Sequence, residues 1–221
     1  MVQGQAFADV NTQIYENIAD SLSNKEKNVR SAAIKIITNN GHGSGTYVTI
    51  NEFHVVLTAN HVTDDAIGTK YFLLDGDEIT TGILVFKNSE IDIAAIHISP
   101  MKNRTPIKFI KNRTVSDIGT DITYSGFPAS HSLLTFRGSI VGYETSVTGR
   151  KIILIHTYAW FGCSGSGIYD LKGRLIGILW GVSREFHRGD VIVEDIAWVT
   201  PAAYINETEI IRSITEIQNT K

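Results

Sequence analysis

Cysteine is nearly absent from this 221-residue chain, which carries Cys163 alone. One thiol cannot close an intramolecular disulfide, so a small secreted scaffold held by cystines is excluded and the chain must hold itself together by packing. Long apolar runs are missing as well. No stretch approaches the ~20 apolar residues that a membrane-spanning helix needs, and MVQGQAFADVNTQIYENIAD lacks the basic start and apolar run of a secretory leader. Charge of one sign is not in excess: 20 basic residues face 23 acidic ones, for a net charge of -3, and no basic block occurs. The electrostatic footprint of a nucleic-acid binder is therefore missing. Together these absences lead to the expectation of a cytoplasmic protein, or one of the host cytoplasm or virion if a virus or phage encodes it. Neither nucleic acid nor membrane is expected as a partner.

The length suits one large domain or two small ones sharing an interface. Phe7, Val10, Ile14, Ile18 and Leu22 recur every three or four residues, which predicts an amphipathic helix over residues 5–23. Its apolar stripe must dock on the body of its own domain, or else on a protein partner or a second copy. SLSNKEKN then reads as a polar connector. From residue 29 to about 200 the texture changes to short runs rich in Ile, Val, Thr and aromatics, such as AAIKIIT, HVVLT, KYFLLD, KIILIHT and RLIGILW, separated by Gly, Asn and Asp. About a dozen such runs predict an all-β barrel or sandwich. The least strand-like part, residues 99–121, marks a boundary between two β units. The expected segments are therefore 1–28 (helical), 29–110 and 111–221. PAAYINETEIIRSITEIQ has a proline at a first helical position and isoleucines near helical spacing, so a C-terminal helix closes the chain.

FGCSGSGIYD, residues 161–170, holds three candidate nucleophiles: Cys163, Ser164 and Ser166. Acyl transfer by such a group needs a base, a residue that orients the base, and N–H donors for the developing oxyanion. VVLTANHVTDD places His61 just after a strand-like run, and SEIDIAAIHI places Asp92 at the start of another. The other histidines, His42, His54, His97, His131, His156 and His187, show no H-x-x-x-H metal spacing and read as solvated or structural, although His156 lies close in sequence to the serine cluster.

LTANH, DIAAIHI and GCSGSGIYDLKGRLIGILWG, in that order, resemble the three signature blocks of the chymotrypsin-like serine proteases. The resemblance runs from about Arg30 to Pro201. It is strongest to the disulfide-free group that holds the high-temperature-requirement proteases, the staphylococcal glutamyl endopeptidases and the exfoliative toxins. It implies two six-stranded antiparallel β-barrels, here flanked by an N-terminal and a C-terminal helix, and a serine endopeptidase acting on polypeptides without metal or organic cofactor. The family pattern G-x-S-G fits only Gly162-Cys163-Ser164-Gly165, which makes Ser164 the nucleophile, and Gly173 falls nine residues later as the pattern requires. His61 then becomes the general base, Asp92 its orienting carboxylate, and the N–H groups of Gly162 and Ser164 the oxyanion hole. Ser166 becomes a loop serine.

Two departures matter. Cys163 stands where trypsin-type zymogens carry an aspartate, so activation through an ion pair with a new N-terminus is not expected. Leu179 replaces the histidine that glutamyl endopeptidases use for acidic side chains. With Tyr158 at the pocket base and Ala197 and Val199 opposite, the resemblance implies an uncharged pocket for small or medium apolar residues. Trp180 and Gly181 would pair with substrate backbone. The PDZ module of the high-temperature-requirement enzymes is not expected after this region. The competing expectation is a protease-fold binding or scaffold protein with latent or lost catalysis; an esterase would share the triad.

Overall fold

The strand runs fold into two barrels. A computed structural model describes residues 21–111, 116–146, 149–187 and 189–219. In the first barrel β1 (Ala33–Thr38), β2 (Gly41–Ile50), β3 (Phe53–Thr58), β4 (Lys70–Asp75), β5 (Glu78–Asn88) and β6 (Ile93–Ile98) pair antiparallel in the order β1-β4-β5-β6-β3-β2, and β1 pairing with β2 closes the ring. The ten-residue β2 shares one edge between two partners. Its first half pairs with β1, and near Val48 and Thr49 it meets the two-residue parallel strand β7 (Ile107–Lys108). The second barrel closes as β10-β13-β12-β11-β8-β9, from β8 (Asp121–Gly126), β9 (Leu134–Thr145), β10 (Lys151–His156), β11 (Gly167–Asp170), β12 (Leu175–His187) and β13 (Asp190–Pro201).

Period-two alternation sorts the first barrel's side chains. On β3 and β6, Val56, Ala94, Ile96 and Ile98 join Ile34, Ile36, Tyr71 and Leu73 inside, while Val55, Leu57, Ile93 and Ala95 face outward. That outer face does not meet water. It packs on Tyr169, Leu175 and Ile178 of the second barrel, and the Tyr169 hydroxyl bonds Thr46 Oγ1 at 2.6 Å across the buried junction. The second barrel has its own interior around Ile122, Tyr124, Ile153, Ile155, Ile168 and Val199.

Each terminal helix packs on the barrel that is remote from it in sequence. Helix α1 (Asn24–Ala32) leads into β1 yet lies on β8. Helix α2 (Glu207–Asn219) follows the second barrel yet lies on β5, with Ile210 and Ile214 fully buried in the first-barrel cluster. Burial of each such side chain contributes about 1.5–3 kcal/mol.

Helix α1 also revises the polar connector. Ser23 Oγ accepts the Glu26 N–H at 3.3 Å and Glu26 Oε2 accepts the Ser23 N–H at 2.8 Å, a capping box that starts a helix inside SLSNKEKN despite its polarity. The helix expected over 5–23 lies outside the described residues up to residue 20.

Glu26 is buried, and Arg137 of β9 grips its carboxylate with two N–H groups, Nη2 to Oε2 at 3.0 Å. Hydrogen bonding to Arg137 is the main cause that holds the carboxyl at about 2 rather than the ordinary 4.5, against the opposing effect of burial. A carboxyl lowered on folding adds stability above its unfolded value and loses it as pH falls through its folded value. Between pH 4.5 and 2 the urea midpoint of the wild type should therefore fall more steeply than that of Glu26→Gln.

Candidate active site

The end of β3 sets His61. After Thr58 the chain makes a single 3-10 turn, Asn60–Val62, closed by Thr63 N–H to Asn60 C=O at 2.9 Å, which turns His61 out of the barrel while Asn60 stays buried. Asp92 sits just before β6. Asn88 Oδ1 accepts the Glu90 and Ile91 N–H groups at 3.0 and 3.3 Å, an Asx turn that delivers Asp92 in the left-handed region at φ 52°. Thr200 Oγ1 of β13 steadies the same turn through the Ile91 carbonyl at 2.7 Å.

The Asp92 carboxylate takes two hydrogens from His61. Oδ2 accepts from Nδ1 at 2.7 Å and Oδ1 from the backbone N–H at 2.9 Å. Nδ1 must carry the hydrogen for this contact, so Nε2 is left with its lone pair.

Only one of the three candidate nucleophiles shares a cavity with His61. Ser164 lines a cavity of about 730 Å³ together with His61 and Asp92. Cys163 is fully buried in the second-barrel core, where the Tyr124 hydroxyl lies 3.7 Å from Sγ. Burial pushes its thiol up, which disfavours the thiolate that a cysteine nucleophile needs. Ser166 is also fully buried, and its Oγ has no hydrogen-bond partner among the described residues.

The turn before Ser164 needs a glycine. Cys163 N–H bonds the Trp160 carbonyl at 2.9 Å, and Gly162, third residue of that turn, has φ 93° while Phe161 is not among the residues with positive φ. This is a type II turn, which requires φ > 0 at its third position. A Cβ on Gly162 would also lie 2.3 Å from the Phe127 carbonyl oxygen. The Phe161 carbonyl is held by the Ala129 N–H at 2.7 Å, so the Gly162 N–H in the same trans peptide points the other way. Among the described residues the N–H groups of Gly162 and Ser164 meet no acceptor.

Leu179, Trp180 and Gly181 line the cavity. Tyr158 and Ala197, expected beside them, do not. Tyr158 lies about half exposed on the outer surface, stacked on Phe136 with ring centroids 5.4 Å apart, and Ala197 is buried in the barrel interior with Val199. The strand's alternation puts Trp198, between them, on the cavity side, paired with Gly181 and 5.0 Å from the Trp180 ring. Ile91, Ile152 and Arg150 complete walls that the sequence reading did not assign. Trp198 was within reach of that reading, because a one-residue change of register on IAWVTP moves the pocket side from Ala197 and Val199 to Trp198.

A family profile described as trypsin-like peptidase domain matches residues 43–178, more than half of the chain. The chain belongs to the trypsin-like peptidase family. It is similar to the periplasmic serine endoprotease DegP of Escherichia coli K12, 31% identical over 145 residues that cover 62% of this chain and 29% of that one. It is also similar to a probable periplasmic serine protease, do/HhoA-like, of Haemophilus influenzae, 34% identical over 143 residues, 62% of this chain and 30% of that one. The chain thus spans less than a third of the length of these relatives. Among solved structures, the serine endoprotease from Yersinia pestis superposes with a TM-score of 0.67 at 21% identity, over 86% of this trypsin-like peptidase and 66% of that chain. The active form of the Rv3671c protease from M. tuberculosis gives 0.63 at 17% identity, over 87% and 83%. These two likenesses show the shared fold. The periplasmic relatives overturn the cytoplasmic expectation: they point to an extracytoplasmic location instead.

Proposed function

We propose that this trypsin-like peptidase is a serine endopeptidase working outside the cytoplasm, placed within the family among the disulfide-free high-temperature-requirement type. Ser164 attacks the scissile carbonyl; His61 Nε2 takes the hydroxyl proton and returns it to the leaving amine; Asp92 holds the imidazole and stabilises its charged form. Gly162 and Ser164 N–H groups receive the oxyanion. The observation that carries this reading is the two-point grip of Asp92 on His61, which leaves Nε2 available in the cavity that Ser164 also lines.

Substrate enters as an added strand. On its first-barrel side β12 loses its β11 partner after Ile178, so the backbone at Trp180 and Gly181 is open to an extended peptide. Leu179, Trp180 and Trp198 give the cavity apolar walls, which favours small or medium uncharged side chains next to the cleaved bond.

Labelling with a fluorophosphonate, followed by mass-spectrometric mapping, tests this function. The adduct should lie on Ser164 and disappear in His61→Ala, and peptides with alanine or valine before the cleaved bond should be hydrolysed faster than those with aspartate or lysine. An adduct on Cys163 or Ser166, or none, would overturn the assignment.

A further inference from the structure

We propose that Ser44, on the first barrel, is a positioning residue for the oxyanion loop of the second. The inference rests on the reading of Ser164 as nucleophile. Ser44 lies in β2, is fully inaccessible, and uses every polar group it has across the junction or beside it. Its hydroxyl receives the Phe127 N–H at 3.0 Å, so its own hydrogen goes to the Gly162 carbonyl, 2.6 Å away. Its N–H donates to the Ser164 carbonyl at 2.8 Å, and its carbonyl accepts from Thr58 Oγ1 at 2.7 Å.

The consequence appears when the loop is taken one peptide plane at a time. Four consecutive carbonyls, of Phe161, Gly162, Cys163 and Ser164, are held by the Ala129 N–H, the Ser44 hydroxyl, the Ser166 N–H and the Ser44 N–H. A trans peptide whose C=O is fixed has its N–H fixed as well. The plane that presents the Ser164 N–H therefore lies between two planes that Ser44 holds, and the plane that presents the Gly162 N–H adjoins the first of them. The segment that donates from Ala129 is anchored by the same strand, through Phe127 N–H to Ser44 Oγ and His42 Nε2 to the Phe127 carbonyl at 2.8 Å. Removal of the hydroxyl strands the half-buried Gly162 carbonyl and the buried Phe127 N–H together, and a turn of the Gly162–Cys163 plane that re-satisfies the carbonyl breaks the Trp160–Cys163 turn. The oxyanion donors then leave their places while His61 and Asp92 keep theirs.

Ser44→Ala tests this against three probes: a fluorogenic peptide chosen with the wild type, a peptidyl trifluoromethyl ketone that adds Ser164 and forms an oxyanion, and a reduced-amide peptide of the same sequence that has no carbonyl at that point. The expected result is a kcat lower by about 10²-fold, the size of a lost oxyanion donor, with KM and reduced-amide affinity within about twofold and ketone affinity reduced in step with kcat/KM. Ser44→Cys, close in volume with a weaker donor, should fall between the two and is read by the same criteria if the alanine variant does not fold. A kcat within twofold of wild type, or equal loss on all three probes, overturns the proposal. A wild type that neither hydrolyses peptides nor labels at Ser164 overturns the functional reading itself, and this inference with it.

Discussion

Replacement of Ser164 by alanine is expected to lower kcat by about 10⁴- to 10⁶-fold while KM stays within a few-fold, the range found when one member of a serine-protease triad is removed. The attacking oxygen is lost, but the cavity walls and the open backbone at Gly181 are not. Adding His61→Ala to this variant should cost little more, because the histidine serves only the serine hydroxyl. Asp92→Asn is the subtler case. An amide in place of Oδ2 would present N–H hydrogens to a ring nitrogen that now donates across 2.7 Å, so the imidazole would shift its hydrogen to Nε2 and lose its capacity as a base. A fall in kcat of about 10⁴-fold follows, with labelling by fluorophosphonate slowed in proportion. Steady-state kinetics of the three variants on one peptide, with circular dichroism as a folding control, decide the matter. A Ser164→Ala protein that retains even a hundredth of wild-type kcat would rule this mechanism out.

The second large effect lies one residue further on. Gly165 has φ 92°, and a Cβ there would stand 2.0 Å from the Ser44 carbonyl oxygen and 2.1 Å from Thr58 Oγ1. Neither neighbour can retreat, since the two bond each other within the first barrel. Gly165→Ala therefore combines a strained backbone with a collision against fixed atoms, and should destabilise the protein by about 3 kcal/mol or more and abolish labelling of Ser164. Gly119→Ala separates the two causes. Gly119 has φ 86° but open space around its Cβ position, so that variant should lose only about 1 kcal/mol and keep its activity. Urea midpoints of the two variants, measured side by side, test the difference.

Much of this architecture is legible in the sequence because alternating strands punctuated by Gly, Asn and Asp leave a period that survives without tertiary context. The runs AAIKIIT, HVVLT and IAAIHI become β1, β3 and β6 nearly residue for residue. β11 and β7 escape that reading. GIYD is only four residues long, lies inside the serine block, and is fully buried, so it has no polar alternation to show; Ile107–Lys108 is too short to have a period. The triad residues stand out through residue type and order along the chain. The pocket walls do not, because which face of β13 meets the cavity depends on the register between Gly181 and Trp198, a fact of pairing that no local pattern carries. Ser44 was hidden for a similar reason. In GHGSGTYV it resembles any small strand residue, and its importance arises from a loop 118 positions away.

The crossed packing of the two terminal helices bears on how the molecule comes into being. During synthesis α1 emerges some ninety residues before β8, the surface it lies on, and the strands of the first barrel emerge about a hundred residues before α2, which packs on β5. Contacts of such sequence separation form late, after the entropy of closing long loops has been met. A nascent chain that already carries His61 and Asp92 still lacks the serine and the helix that covers the first barrel's apolar side. The cavity that joins His61 and Asp92 to Ser164 is thereby assembled only after both barrels and α2 have been made.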